Sequence, residues 1–479
     1  MFLGLDLGTS GLKAVLINDD QVVIDTASSA LAVSRPRDGW SEQNPADWIT
    51  AAEAVLDALG ARRDLAAVRA IGLSGQMHGA TALDEQDNVL RPAILWNDTR
   101  SSAEATEMDA QGEWRSISGN IVFPGFTAPK LKWMQKHEPE LFARTRKVLL
   151  PKDYLRLWLT GDYISDPSDS AGTSWLNTEN RSWSDRLLAL SGLDRSHMPG
   201  LVEGSAPGGN LRHEISSRWG FGAGVVVAGG GGDNAASGIG VGAVSDGQGF
   251  LSLGTSGVLF AATKAYSPAP ETAVHTFCHA VPGTWHQMGV ILAATDALNW
   301  FAGLVGKEAS GLANVLGPLG APGRTLFLPY LGGERTPIND AEIRAAFVGL
   351  DHATGIEEAT KAVLEGITFA FCDCRDALKS TGTKFERILA VGGGSNSAYW
   401  LEALATALNV PIDVPVDGDF GGAFGAARLG MMAATGGGAE IATRPKIART
   451  IEPNQSLTGA YSAKHQRYKD ARRAIKELT

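Results

Sequence analysis

The pentapeptide Leu-Gly-Thr-Ser-Gly occurs twice in this chain, at 7–11 and again at 253–257, about half the chain apart. Each copy follows a short apolar run, Phe2-Leu3-Gly4-Leu5-Asp6 in one case and Gly249-Phe250-Leu251-Ser252 in the other. Each also runs into a second apolar stretch, Leu12-Lys13-Ala14-Val15-Leu16-Ile17 or Val258-Leu259-Phe260. Strand, turn and strand make a hairpin, and this turn offers backbone N–H groups and small hydroxyls. Converging N–H dipoles favour an anion, and glycine lets it approach the backbone. A single such turn is only a turn. A duplicate in each half predicts two similar lobes that grip a polyphosphate from both sides.

Bulk composition narrows the class of protein. A chain of 479 residues predicts roughly two to four domains. An apolar share of 44% beside 20% charged residues suits a globular chain with ample core. The 58 glycines sit in clusters between apolar runs, which reads as tight turns. A net charge of −10 disfavours nucleic acid or an anionic membrane as partner. Cys278, Cys372 and Cys374 form neither a disulfide framework nor a zinc spacing. Asp6 and Lys13 interrupt what would otherwise be a signal-type apolar segment. No run reaches the ~20 apolar residues of a membrane span. The expectation is a cytoplasmic protein.

Residues 2–33 read as three consecutive strands, followed by a helix over 45–60 with Asn44 as cap and Pro45 in its first turn. Val68–Ser74 is a strand entering the turn Gly75-Gln76-Met77-His78-Gly79, and Pro92–Trp96 is another, closed by Asn97-Asp98. Such alternation indicates an α/β domain. The stretch 100–220 is mixed and reads as an insertion covering a cleft. Val225–Ala228 is a buried strand leading into four glycines and Asp233, and the pattern restarts at Gly249. The boundary therefore falls near 242–247. Helices are expected over 288–305, 355–380 and 396–408, with a strand at Ile388–Val391 before Gly392-Gly393-Gly394-Ser395.

Asp233 stands after a strand and a glycine run, at a helix start. It is either a helix cap or a general base, and the glycines favour the base, because a cap has no need of them. Asp6 precedes the first turn. A carboxylate facing phosphates repels them unless a cation intervenes, which points to Mg²⁺, although Asp6 can equally bond its own turn. Gly392–Ser395 can cradle a nucleotide, or simply connect strand to helix. Gly238-Ile239-Gly240-Val241-Gly242 does not directly follow a strand, and no Gly-Lys-Ser/Thr phosphate loop exists. His78 can donate to a polyol hydroxyl, beside Trp96-Asn97-Asp98.

Together these motifs resemble the FGGY carbohydrate kinases of the actin-like ATPase superfamily, over almost the whole chain. Gly4–Ser10 is similar to the family's first phosphate motif and Ser252–Gly257 to its second. Gly392–Ser395 resembles the adenosine motif, and Gly125–Trp133 the first signature segment. The second signature matches around Ala345–Glu365, with Ala359 where a larger aliphatic residue is usual. Met77-His78 stands where glycerol kinases carry Arg-Glu. Ser74–Gly79, Trp96-Asn97-Asp98, the glycines before Asp233-Asn234 and Leu328–Pro337 look most like the members that phosphorylate D-xylulose.

The resemblance implies an α/β fold of two actin-like (ribonuclease H-like) ATPase domains, 1–243 and 244–479, flanking a central cleft. It implies ATP and Mg²⁺ as cofactors, with Gly8, Thr9, Ser10, Gly254, Thr255 and Ser256 on the phosphates. Gly393, Gly394 and Ser395 would serve the adenosine, and Asp6 the metal. Met77, His78, Asp233 and Asn234 would hold the sugar, deeper and on the first domain. Asp233 would take the proton from the 5-hydroxyl of D-xylulose. Other acceptors on the same fold are ribulose, a deoxy-ketose or a tetritol. A non-catalytic sugar sensor is disfavoured, because the chain starts directly on a core strand instead of a helix-turn-helix. Family members are often homodimers, which is the expectation here.

Overall fold

The computed structural model describes residues 1–416 and 421–478. Its first sheet contains β1 (Phe2–Leu7), β2 (Gly11–Ile17), β3 (Val23–Ala30), β4 (Ala70–Gly75), β5 (Pro207–Asn210) and β6 (Val226–Ala228). Their order is β5-β6-β4-β1-β2-β3, and the short pair Gly231–Gly232 also joins β4. The second sheet contains β7 (Gln248–Leu253), β8 (Gly257–Thr263), β9 (His275–Cys278), β10 (Trp285–Ile291), β11 (Arg387–Val391), β12 (Ile412–Pro415) and β13 (Ile447–Ile451). Here the order is β9-β10-β8-β7-β11-β12-β13.

The two sheets repeat one plan. A hairpin opens each (β1–β2, β7–β8), the second strand takes an antiparallel neighbour (β3, β10), and a distant strand returns parallel to the first (β4, β11). The central strands are buried on both faces, as parallel pairing with helix cover requires. This is the ribonuclease H-like unit, present twice.

Helix α1 (Pro45–Gly60) begins as the sequence predicts, with the Asn44 side chain accepting from Ala46 N at 3.1 Å. It buries Trp48, Ala52, Val55, Leu56 and Leu59. Three further helices matter below: α2 (Asp233–Val241), α3 (Ile356–Ser380) and α4 (Ala398–Leu408). A fourth, α5 (Gly422–Thr435), comes late in the chain but lies on the first sheet. Its seat is made by missing side chains. A Cβ on Gly4 would come within 1.9 Å of the Ala423 carbonyl oxygen, and one on Gly72 within 1.7 Å of that of Ala426. Gly425 stands equally close, 1.7 Å, to the Ala236 oxygen of α2.

Two expectations need correction. Residues 288–291 belong to strand β10, paired with β8, and the helix that follows is Thr295–Leu304. A short apolar run does not distinguish strand from helix, and here the open edge of β8 claims it. The helix expected from 396 starts at Ala398, because Gly393–Asn396 forms a 3₁₀ turn and Ser397 caps. The stretch 100–220 supplies helices including Thr127–His137 and Pro151–Thr160. Its Trp114, Phe126 and Trp175 share an apolar cluster with Phe250, Phe277 and Met288 of the second sheet.

Candidate active site

A cavity of about 260 Å³ lies where the two sheets face each other. Met77, His78, Trp96, Asp233 and Asn234 line it from the first half of the chain. From the second half come Ser256, Val258, His275, Phe277, Met288, Val290 and Arg335. The cavity therefore has walls from both halves of the chain. Strand β8 and its neighbours β9 and β10 form the opposite wall, which sequence adjacency could not reveal.

Asp233 is the first residue of α2, with Gly232 at the cap position, so it is not the helix cap. Its Oδ1 accepts from Asn234 N at 2.7 Å and Asn234 Nδ2 at 2.9 Å. Oδ2 has no hydrogen-bond partner among the described residues. Removal from water, with the Asp6 carboxylate second, pushes the Asp233 carboxyl up to about 7. Asn234 thus orients the carboxylate as well as lining the cavity. Beneath them, Gly232 N donates to Ser168 Oγ at 3.2 Å. Nearby, fully buried Lys152 is paired with Asp153, Asp166 and Asp169 at 2.5, 2.9 and 3.4 Å.

His78 has a positive φ of 70° and stacks on Phe126 at 4.5 Å between centroids. Its carbonyl accepts from Lys130 Nζ at 2.8 Å, and its Nδ1 lies 2.7 Å from the Gly172 carbonyl oxygen. Burial, followed by the Lys130 charge, lowers the imidazole to about 3. The ring is therefore neutral, Nδ1–H donates to Gly172, and Nε2 is left as an acceptor. This reverses the expected role, since a sugar hydroxyl would donate to His78. Gly172 has to be glycine, because a Cβ there would lie 2.4 Å from the ring.

The first Gly-Thr-Ser-Gly turn is fixed by side chains. Thr9 Oγ1 donates to Gln76 Oε1 and accepts from the Trp96 indole, both at 3.0 Å. Gln43 Nε2 donates to the Thr9 carbonyl at 2.7 Å. The second turn is latched by backbone: Ala294 N and Asp296 N donate to the Thr255 oxygen at 2.8 and 3.2 Å, and Thr295 N donates to that of Gly254 at 2.9 Å. Ser256 of the second turn lines the cavity, whereas the first turn is joined to it through Trp96, the lining residue that donates to Thr9.

Gly393, Gly394 and Ser395 are not among the described residues lining this cavity. They dock instead on the residue before the second turn. A Cβ on Gly394 would lie 2.8 Å from the Leu253 Cβ, while Gly392 has φ 88° and would press on the Leu253 carbonyl at 2.9 Å. Gly393 has open space. The glycine turn at 392–394 and the second phosphate-type turn thus meet at the end of β7. Asp6 Oδ1 accepts from Ser74 Oγ at 2.8 Å, and burial pushes its carboxyl upward. Gly422 leaves this carboxylate uncovered, because a Cβ there would sit 2.8 Å from it. The residues missed by sequence reasoning are His275, Phe277 and Arg335. His275 and Phe277 stand on a strand without any motif, whereas Arg335 lies inside the resemblance segment Leu328–Pro337, which by itself assigned it no role.

Two ribonuclease H-like lobes, with matching anion-type turns and a cavity walled by both sheets and carrying a carboxylate, define a phosphotransferase of the actin-like ATPase class. Comparison with known proteins makes this specific. Residues 1–240 match the N-terminal domain of the FGGY family of carbohydrate kinases, and residues 249–434 match its C-terminal domain. The chain belongs to this family and is a sugar kinase. It is 45% identical over 479 residues to a xylulose kinase of Escherichia coli, covering 98% of both proteins. It is 46% identical over 464 residues to a xylulose kinase of Klebsiella pneumoniae, covering 95% of this chain and 94% of that one. A crystal structure of a xyloylose kinase from Brucella ovis superposes with a TM-score of 0.98 at 59% identity, covering all of both chains.

Proposed function

We propose that this chain transfers the γ-phosphoryl group of ATP to the 5-hydroxyl of D-xylulose. The observation that carries the reading is the Asp233 carboxylate, which lines a cavity of sugar size and whose Oδ2 has no hydrogen-bond partner among the described residues. Asp233 accepts the hydroxyl proton as O5 bonds to the γ-phosphorus and the bond to the ADP oxygen breaks. A carboxyl near 7 is well placed for this proton. His78 Nε2 accepts from another hydroxyl, and Met77 packs against the carbon chain.

Gly8, Thr9 and Ser10 on one side, with Gly254, Thr255 and Ser256 on the other, hold the phosphates. Positioning and charge stabilisation do most of the work in phosphoryl transfer. Gly393, Gly394 and Ser395 seat the adenosine beside β7. The uncovered Asp6 carboxylate is a hard oxygen donor of the kind Mg²⁺ takes, and Mg²⁺ bound with ATP supplies positive charge against the phosphates. The functional lobes are residues 1–243 and 244–479, with α5 crossing back onto the first sheet. A homodimer rests on the family resemblance, and light scattering checks it. No described helix is long and apolar enough to cross a membrane.

An acceptor panel with coupled ADP detection tests the reading. D-xylulose should give the highest kcat/KM among D-xylulose, D-ribulose, a deoxy-ketose and a tetritol. Preference for any of the others would reassign the substrate.

A further inference from the structure

We infer that Arg335, carried by the second lobe, binds the carbonyl oxygen of an open-chain ketose and thereby selects keto acceptors over alditols. The inference rests on the cavity being the acceptor site.

Arg335 lines the cavity, with its guanidinium 4.8 Å above the Phe123 ring. Among the described residues this guanidinium has no hydrogen-bond or ion-pair partner. The backbone beneath it is nevertheless fixed on both sides. Glu334 Oε1 accepts from Leu292 N at 2.9 Å and from Arg335 N at 2.8 Å. Thr336 N donates to the Val290 oxygen at 3.0 Å, and the Thr336 hydroxyl to the Ala273 oxygen at 3.0 Å. His275, in the same wall and only 3% exposed, has an Nδ1 without any partner. Buried polar groups are nearly always satisfied, so the unpartnered His275 Nδ1, in the same wall as a guanidinium that has only an aromatic ring against it, indicates that a ligand completes this end of the cavity.

Donors and acceptors divide between the walls. The first lobe offers acceptors, the Asp233 carboxylate and His78 Nε2, which suit hydroxyl donors. Arg335 has N–H donors and no acceptor. A 2-ketopentose closes its furanose ring through O5, so a molecule phosphorylated there must be open-chain with a free C2 carbonyl. A carbonyl oxygen accepts and cannot donate. Of the groups lining the cavity, the guanidinium matches that requirement most fully. Its charge acts on His78 and His275, which places it toward their end of the cavity. The charge acting on Asp233 is that of Asp6. Carbonyl at Arg335 and reacting hydroxyl at Asp233 therefore fit one extended sugar.

The test compares kcat/KM for D-xylulose with that for xylitol and D-arabinitol, the two products of reducing its C2 carbonyl. In Arg335→Met the value for D-xylulose should fall about 10- to 100-fold, mainly through KM, as expected for loss of a charged hydrogen bond. The ketose-to-alditol ratio should fall about tenfold or more, while KM for ATP stays within about twofold. Equal losses for ketose and alditols would overturn the inference. Should Arg335→Met fold poorly, Arg335→Lys keeps a charge without the forked head and should lower the ratio about fivefold. An unchanged ratio there also overturns it. A wild-type chain that phosphorylates no ketose would overturn the reading of the cavity itself.

Discussion

Asp233 shows how much one carboxylate owes to its surroundings. Strand, glycines and helix start put it in the cleft, and its residue type and approximate place were legible from the chain. Its basicity was not, because that depends first on burial between the packed lobes and then on the Asp6 carboxylate arriving from another strand. With the free carboxyl at about 7, kcat/KM for the sugar should rise about tenfold per pH unit below 7 and level off above. Asp233→Asn should lower kcat by about 10² or more and remove that rise, with ATP affinity nearly unchanged. Stability should move the other way. The folded state holds its proton more tightly than the unfolded chain, whose value is 3.8. Asp233 therefore costs stability increasingly as pH rises from about 4 to 7. Asp233→Asn should melt higher than wild type at pH 8 and close to it at pH 3. A flat kcat/KM profile across pH 5.5–8 would remove Asp233 as the base. His78 gives the opposite lesson: its residue type was legible, but its hydrogen-bond role was reversed by the Gly172 carbonyl.

Helices α2 and α5 cross at glycine, and both touch the seam between the lobes. Arg428 of α5 binds the Ile239 and Gly240 carbonyls of α2 at 2.9 and 3.0 Å, and the Thr443 carbonyl at 2.9 Å. A methyl group at Gly425 would stand 1.7 Å from a backbone oxygen, a position that no rotamer change relieves. Gly425→Val should therefore push the two helices apart and lower Tm by ten degrees or more, roughly the effect of several kcal/mol. An unshifted melt would show that the crossing is looser than these distances require. This close approach was not legible in the sequence. Glycines inside an apolar helix read only as weak helix formers, and the partner of Gly425 lies on a helix far back in the chain, at Ala236.

The assembled chain works as one unit on the proposed reading, because the cavity assigned to the sugar has walls from both sheets. D-xylulose without ATP should consequently slow amide exchange at 77–79 and at 275–277 together, and raise Tm, since a ligand that binds only the folded state stabilises it. Protection confined to 77–79 would place the sugar on the first lobe alone. The polar support under the site is equally cooperative. Removing the Lys152 charge would leave the carboxylates of Asp153, Asp166 and Asp169 buried without that partner.

The duplicated pentapeptide marks the limit between the two sources of information. Local chemistry made both copies hairpin turns at strand ends, and their spacing gave two lobes, because residue type and order alone fix what a turn can adopt. Yet identical residues close differently. In the first copy Leu7 pairs with Leu12 and Gly8 N bonds Gly11 O at 3.0 Å, whereas in the second Leu253 pairs with Gly257. The difference comes from neighbours supplied by distant sequence: 294–296 take the carbonyls of Gly254 and Thr255, while Leu31 N takes that of Ser10 at 2.9 Å. Backbone groups bond whatever the packed chain brings within reach. Which wall faces Asp233, and which cation joins it, was settled only by that packing.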